Sequence, residues 1–330
     1  MAARDGIGIR VFGDPSELAP LEDVDGIELI ASAGAITNDD EPVAAVRSRD
    51  DASVVMAAAD VAAGRSDALA SAGSTGATMA AALFGLRRMR GVRRPALALQ
   101  LLIPGRDGPP ILMLDVGANT DARANDLVQF AHLGVAFSSA VHGVESPRVA
   151  LISVGEESKK GSAEVVDAHS TLAASNSLNF IGNVEGRDLL GGEAQVIVTD
   201  GFTGNVVLKT IEGTASAVAA AVRDAARSGP VSAIGGALLR PALAELRRGM
   251  DPDTTGGAIL LGLRGVAVVG HGSSGPLGVA NAIRLAARSV EHEAVDRTAE
   301  LLASSHVTRG ELRDTEQAPD SQQATEEVRA

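Results

Sequence analysis

The chain has 330 residues, 45% of them apolar, a formal net charge of −13, and no Cys, Trp or Tyr. Without cysteine there is no disulfide framework, thiolate metal site or cysteine acyl-enzyme, and an acidic chain lacking stacking aromatics is a poor nucleic-acid binder. No apolar run is long enough to span a bilayer and the start has no signal-peptide core, so the chain reads as a soluble, cytoplasmic protein.

Short β-branched or apolar runs alternate with longer Ala-rich stretches, the pattern of a parallel sheet covered by helices on both faces. In chain order, strands are predicted over 8–12 and 27–31, a helix over 53–63, a strand over 68–71 and a helix over 75–89. Strands follow over 96–102 and 111–114, then a helix over 126–141, a strand over 149–154 and a helix over 162–174. Strands over 179–181 and 196–198 precede helices over 205–226, 241–249 and 257–263, a strand over 266–269 and a helix over 280–304. With no repeat or linker, residues 1–305 read as one domain. Residues 306–330, nearly free of apolar side chains, read as a disordered acidic tail.

Ligands of α/β sheets bind where strands run into helix-opening loops, because helix amino ends present free N–H groups and a positive dipole end. The first such loop is Ser71-Ala72-Gly73-Ser74-Thr75-Gly76-Ala77-Thr78, whose glycines admit close approach and whose hydroxyls suit a phosphate. An ordinary N-capped turn accounts for it equally well. The second is Asp115-Val116-Gly117-Ala118-Asn119. The third, Gly155-Glu156-Glu157-Ser158-Lys159-Lys160-Gly161, lacks the Gly-Lys-Ser/Thr order of a P-loop, so ATP hydrolysis is not indicated. The fourth, Asp200-Gly201-Phe202-Thr203-Gly204-Asn205, has Lys209 one turn beyond, either an oxyanion partner or a surface lysine. The chain's only lysines are Lys159, Lys160 and Lys209. The fifth, Gly270-His271-Gly272-Ser273-Ser274-Gly275, matches a dinucleotide fingerprint in spacing. No later strand supplies the acidic partner, which disfavours a nicotinamide cofactor. The histidines have no metal-ligand spacing, and only His271 competes for a catalytic role. Arg87, Arg88, Arg90, Arg93 and Arg94 crowd one turn, either as helix-end charge or as a docking patch for an acidic partner.

These loops, with Arg94-Pro95-Ala96-Leu97 and Asn179-Phe180-Ile181-Gly182-Asn183-Val184-Glu185-Gly186-Arg187-Asp188, follow one another as in a known family. The chain resembles the bacterial phosphate acyltransferases of phospholipid synthesis, the PlsX family, from about Val11 to Ala287. The resemblance implies a three-layer Rossmann-like α/β fold like that of isocitrate and isopropylmalate dehydrogenases and phosphotransacetylases. It also implies a homodimer, no cofactor, and transfer of an acyl group from acyl carrier protein to inorganic phosphate. Family members open on a strand and an Asp-Ala-Met-Gly-Gly-Asp loop followed by a helix. Here the match starts at what corresponds to the end of that helix, entering Val11-Phe12-Gly13-Asp14-Pro15.

Phosphorolysis of a thioester needs a phosphate cradle and oxyanion stabilisation, and a thiol leaves without strong acid help. The expected cradle combines Gly73, Ser74, Thr75 and Gly76 with Asn119, Lys160 and Lys209; Asp200, Gly204 and Asn205 fix the loop, and His271 is an acid–base candidate. Arg87, Arg88 and Arg90 are expected to dock the carrier protein. A coenzyme A-dependent phosphate acetyl- or butyryltransferase and a non-catalytic carrier-binding scaffold are the competing readings. Leu239, Leu243 and Leu246 form an apolar stripe over 233–250 that suits either peripheral membrane contact or a dimer partner.

Overall fold

A computed structural model describes residues 5–103, 105, 108–249, 252–270, 272, 274–305 and 307. The first part of the chain forms β1 (Ile9–Gly13), α1 (Pro15–Leu18), β2 (Ile27–Ala31), α2 (Pro42–Ser48), α3 (Ser53–Ala62), β3 (Ala68–Ser71), α4 (Thr75–Gly85) and β4 (Ala96–Leu101). It continues through β5 (Ile111–Leu114), α5 (Ala124–His142), β6 (Arg148–Ile152), α6 (Ala163–Ala174), β7 (Asn179–Val184), β8 (Val196–Val198) and α7 (Gly201–Arg227). The last elements are α8 (Pro230–Gly249), α9 (Pro252–Thr255), β9 (Ala258–Leu261), β10 (Val266–Val269), α10 (Pro276–Glu291) and α11 (Ala294–Ser304).

An eight-stranded sheet of order β3-β10-β9-β4-β5-β8-β6-β7 lies between two helical layers, while β1 and β2 pair separately in parallel. The continuous apolar runs Ile-Leu-Met-Leu of β5 and Val-Ile-Val of β8 are buried on both faces, as strands in the middle of such a sandwich must be. On one face α5 contributes Phe130, Leu133 and Phe137, joined by Leu172 of α6, Leu285 of α10 and Leu302 of α11. On the other, the small side chains Ala77, Ala80, Ala81 and Ala82 let α4 lie close to the sheet beside α2, α3 and α7. Between the β1–β2 pair and β3 runs a cleft of about 1070 Å³, lined by Ile9, Arg10, Leu69, Ala70, Ala282 and Ile283. Ser71 and Ala72, which open the first of the candidate loops, lie on its wall.

The sheet is mixed rather than parallel. β9 runs antiparallel to β4 and β10, and β4 antiparallel to β5. The stretch predicted as a helix over 257–263 contains strand β9, because Gly256 and Gly257 at φ +86° and +90° turn the chain straight into the sheet. The helix predicted over 280–304 breaks into α10 and α11 at Glu293, whose φ is 52°. Val307 is buried, and its carbonyl accepts a 2.8 Å bond from the Gln129 amide, so the packed body extends past the predicted tail boundary. Residues 308–330 lie outside the described residues.

A buried carboxylate ties β1 to α3. Asp60 is 2% exposed and accepts from Arg65 (2.7 Å), Ser66 (2.7 Å) and Arg10, which also pairs with Glu28. Burial alone would raise its pKa, but Ser66, Arg10 and Arg65 outweigh that and bring it down from 3.8 to about 2. A carboxyl depressed in the folded state stabilises the fold above its unfolded pKa and loses that contribution as pH falls toward its folded value. Denaturant titrations are therefore expected to show about 2 kcal/mol lost between pH 3.8 and about 2. The Asp60→Asn chain should lack this dependence. An identical pH slope in both chains would remove Asp60 from the acid response.

Candidate active site

Strand directions decide which loops can meet. Because the β10–β9, β9–β4 and β4–β5 pairings are all antiparallel, three reversals leave β3 and β10 running opposite to β5, β8, β6 and β7. The carboxyl ends of β5, β8 and β6, which are neighbours in the sheet, thus share one edge. Those of β3 and β10 lie at the other.

At the first edge, β5 runs into Asp115, which is fully buried. Its carboxylate accepts from the backbone N–H groups of Leu97 (3.1 Å), Gly117 (3.1 Å), Ala118 (2.9 Å) and Asn119 (2.7 Å), and from Asn119 Nδ2 (2.7 Å). Burial pushes this carboxyl above the usual range, while these donors favour its charge. Gly117, at φ +145°, gives the turn a backbone shape that a side chain would strain. The remaining Asn119 Nδ2 hydrogen goes to the Pro95 carbonyl at 2.7 Å. Asn119 therefore has both amide hydrogens committed to the scaffold and is only 8% exposed.

Helix α7 backs directly onto this turn. Asp200 caps it, accepting from Thr203 N–H (2.9 Å) and Thr203 Oγ1 (2.7 Å). Gly201 donates its N–H to the Asn119 carbonyl at 2.7 Å. A Cβ on Gly201 would stand 2.8 Å from the Asn119 backbone, and one on Gly204 would overlap the Asp115 carbonyl oxygen. Both glycines are thus required by contact. The positive end of a long helix is fixed at this edge, a suitable place for an anion. Asn205 is exposed beside Gly117, and among the described residues its side chain makes no hydrogen bond.

Next to it, β6 opens into the 155–161 loop. Ser153 Oγ donates to the Lys160 carbonyl (2.8 Å), the Lys160 N–H donates to the Glu157 carbonyl (3.0 Å), and Asn183 of β7 donates to that same carbonyl (3.0 Å). The loop is held while the Lys160 side chain is exposed, without an ion pair among the described residues. Lys209, by contrast, sits two turns into α7 and pairs with Glu212 at 2.8 Å.

The other edge carries the 71–78 turn. Ser74 caps α4, Ser71 Oγ accepts from Gly73 N–H (3.3 Å) and Thr78 Oγ1 (2.9 Å), and a Cβ on Gly76 would stand 2.7 Å from Pro42. Within one chain, Gly73, Ser74, Thr75 and Gly76 therefore do not join Asn119, Lys160 and Lys209, and the single cradle expected from sequence is not formed. The reason is the three antiparallel pairings between β10 and β5, which no local pattern announces. His271 lies outside the described residues; its neighbour Gly270 donates to the Ser71 carbonyl at 2.7 Å, at this second edge. His132 and His142 belong to α5, and burial, with Arg288 nearby, holds His142 down to about 4.

Residues 2–297 match the family described as fatty acid synthesis protein. The chain is 44% identical over 289 residues to the phosphate acyltransferase of Lactococcus lactis subsp. lactis, covering 87% of each chain. It is 44% identical over 301 residues to that of Geobacillus sp., covering 91% of each. The chain belongs to the phosphate acyltransferase family. Among solved structures, the EutD phosphotransacetylase from Staphylococcus aureus is similar with a TM-score of 0.52 at 18% identity, over 84% of this chain and 85% of that one. A branched-chain phosphotransacylase from Enterococcus faecalis is similar with a TM-score of 0.52 at 15% identity, over 86% and 99%. These likenesses bear on the fold, and agree with the Rossmann-like α/β architecture expected from sequence. For this phosphate acyltransferase family member, Asp115 is the residue that the sequence left unassigned. The visible signal was an acid ending an apolar strand before Gly-Ala-Asn.

Proposed function

We propose that the chain transfers a fatty acyl group from acyl carrier protein to inorganic phosphate, giving acyl phosphate for phospholipid synthesis. The observation that carries this reading is the shared edge of β5, β8 and β6. There the amino end of α7, with the Asn205 amide and the Lys160 ammonium that have no hydrogen-bond or ion-pair partner among the described residues, adjoins a turn locked by Asp115. Phosphate held by these groups attacks the thioester carbonyl through one oxygen. The tetrahedral oxyanion collapses, the C–S bond breaks, and sulfur leaves with the electron pair as a thiolate, whose parent thiol pKa of about 8.5 needs little acid help. Lys160 and Asn205 stabilise the charge that develops on the carbonyl oxygen. Asn119 and Asp200 act as positioning residues through the 115–119 turn and the α7 cap.

The same reading includes a cytoplasmic homodimer that touches the bilayer only peripherally. Among the described residues no helix is long and apolar enough to cross a membrane. Ile234, Leu238 and Leu239 of α8 are exposed and offer an apolar face for a lipid surface or a second copy; the side chains of Leu243 and Leu246 lie outside the described residues.

The test is acyl phosphate formation, trapped with hydroxylamine, from palmitoyl thioesters of acyl carrier protein and of coenzyme A. The expected result is phosphate-dependent product with the carrier-bound donor at the higher kcat/KM. Preference for the coenzyme A thioester would transfer the chain to the coenzyme A-dependent class, and no product from either would overturn the catalytic reading.

A further inference from the structure

On a protein of net charge −13, basic side chains without acidic neighbours are worth locating. Arg87 and Arg88 follow the end of α4, Arg90 comes next, and Arg264 occupies the turn between β9 and β10; all four are exposed. The fold brings these distant segments together. Arg264 N–H donates to the Arg87 carbonyl (3.0 Å), Arg264 Nε to the Arg88 carbonyl (3.1 Å), and Met89 N–H to the Gly262 carbonyl (2.9 Å). Among the described residues none of the four forms an ion pair. Arg93 and Arg94, only a few positions on, are neutralised by Asp126 (3.0 Å) and Asp121 (2.5 Å).

The location matters as much as the charge. Helix α4 starts at the edge with the 71–78 turn and runs back, so its carboxyl end reaches the opposite edge. That edge is the candidate site's: Leu261 at the end of β9 pairs with Ala96 at the start of β4, and the neighbouring Leu97 N–H binds Asp115. β9 and β5 flank β4, so their ends are roughly 10 Å apart.

We propose that Arg87, Arg88, Arg90 and Arg264 form one docking surface for an acidic protein that delivers the acyl thioester, with Arg264 as a member contributed by a separate segment. The inference rests on the carrier-protein reading above. The rest of the surface, acidic overall, repels such a partner, so an unneutralised basic tip beside the site both steers the encounter and fixes its orientation. A tip with the site on the same edge also shortens the path from docked carrier to the reacting carbonyl.

The test separates docking from chemistry by measuring binding of unacylated acyl carrier protein to the full chain by fluorescence anisotropy, across a salt series. Arg264→Glu and Arg90→Glu are each expected to weaken binding about tenfold near 50 mM salt, with the difference closing at high salt as the charges are screened. Arg90 makes no hydrogen bond among the described residues, so its variant answers for docking even if Arg264→Glu disturbs the turn. In the kinetic arm, the ratio of kcat/KM for carrier-bound donor over acyl-pantetheine should fall in both variants. Unchanged carrier affinity in Arg90→Glu, or equal losses with both donors, would overturn the docking surface. Failure of wild-type turnover with intact, salt-sensitive carrier binding would instead strike the catalytic reading and leave this surface standing.

Discussion

Replacing Lys160 by Ala is expected to lower kcat roughly 10²–10³-fold, the loss typical when one charge-stabilising donor is removed from an acyl-transfer site. The same range applies to Asn205→Ala. Neither side chain contributes to the core, since both are exposed and neither forms a side-chain hydrogen bond or ion pair among the described residues. The melting transition should therefore stay where it is, and the change should fall on turnover more than on the KM for the thioester. Lys209→Ala is the internal comparison. Its ammonium is drawn along its own helix to Glu212, an exposed pair of little energetic weight, so the expected change is less than about tenfold. If Lys209→Ala proves the crippled variant and Lys160→Ala turns over normally, the cradle has been assigned to the wrong lysine. Equal activity of all three variants would remove the whole edge from the chemistry.

How much of this was legible in the chain can be read from particular elements. Strands such as Ile111–Leu114 and Val196–Val198 announce themselves as short apolar runs closed by polar or glycine residues. Helix α4 is equally plain, with Ser74 as cap before an Ala-rich run. Ala258–Leu261 was misread because a short Ala-Ile-Leu-Leu run has no period that separates a buried strand from a buried helix. Strand direction has no local signature at all, which is why the 71–78 turn and the 155–161 loop were grouped although they end on opposite edges. The role of Asn119 was hidden for a similar reason. Its amide is used by Pro95, twenty-four positions earlier, and by Asp115. Arg264 and Arg88, 176 positions apart, meet only through the tertiary fold.

The largest stability effect is expected at Asp115. Its carboxylate serves four backbone N–H groups from two segments, Leu97 at the start of β4 and Gly117, Ala118 and Asn119 in the turn, in a place water does not reach. Asp115→Ala removes the shared acceptor and leaves those donors buried and unpaired, at about 1–3 kcal/mol each, so a loss of about 4 kcal/mol or more is expected in urea unfolding. Asp115→Asn fills the same volume but offers one oxygen and turns an NH2 group toward donors, so it should recover only part of the loss. Activity should fall in both variants even at temperatures where they remain folded. The Asn119 carbonyl that receives Gly201, and the surface on which Gly204 packs, both belong to this turn. A shifted turn would move the amino end of α7 and Asn205 with it, and displacement by an ångström is enough to cost a reaction that depends on orientation about a hundredfold. An Asp115→Ala chain with the wild-type unfolding midpoint would show that the turn is held by its packing alone. Full turnover in that chain would further show that the α7 terminus does not depend on the turn.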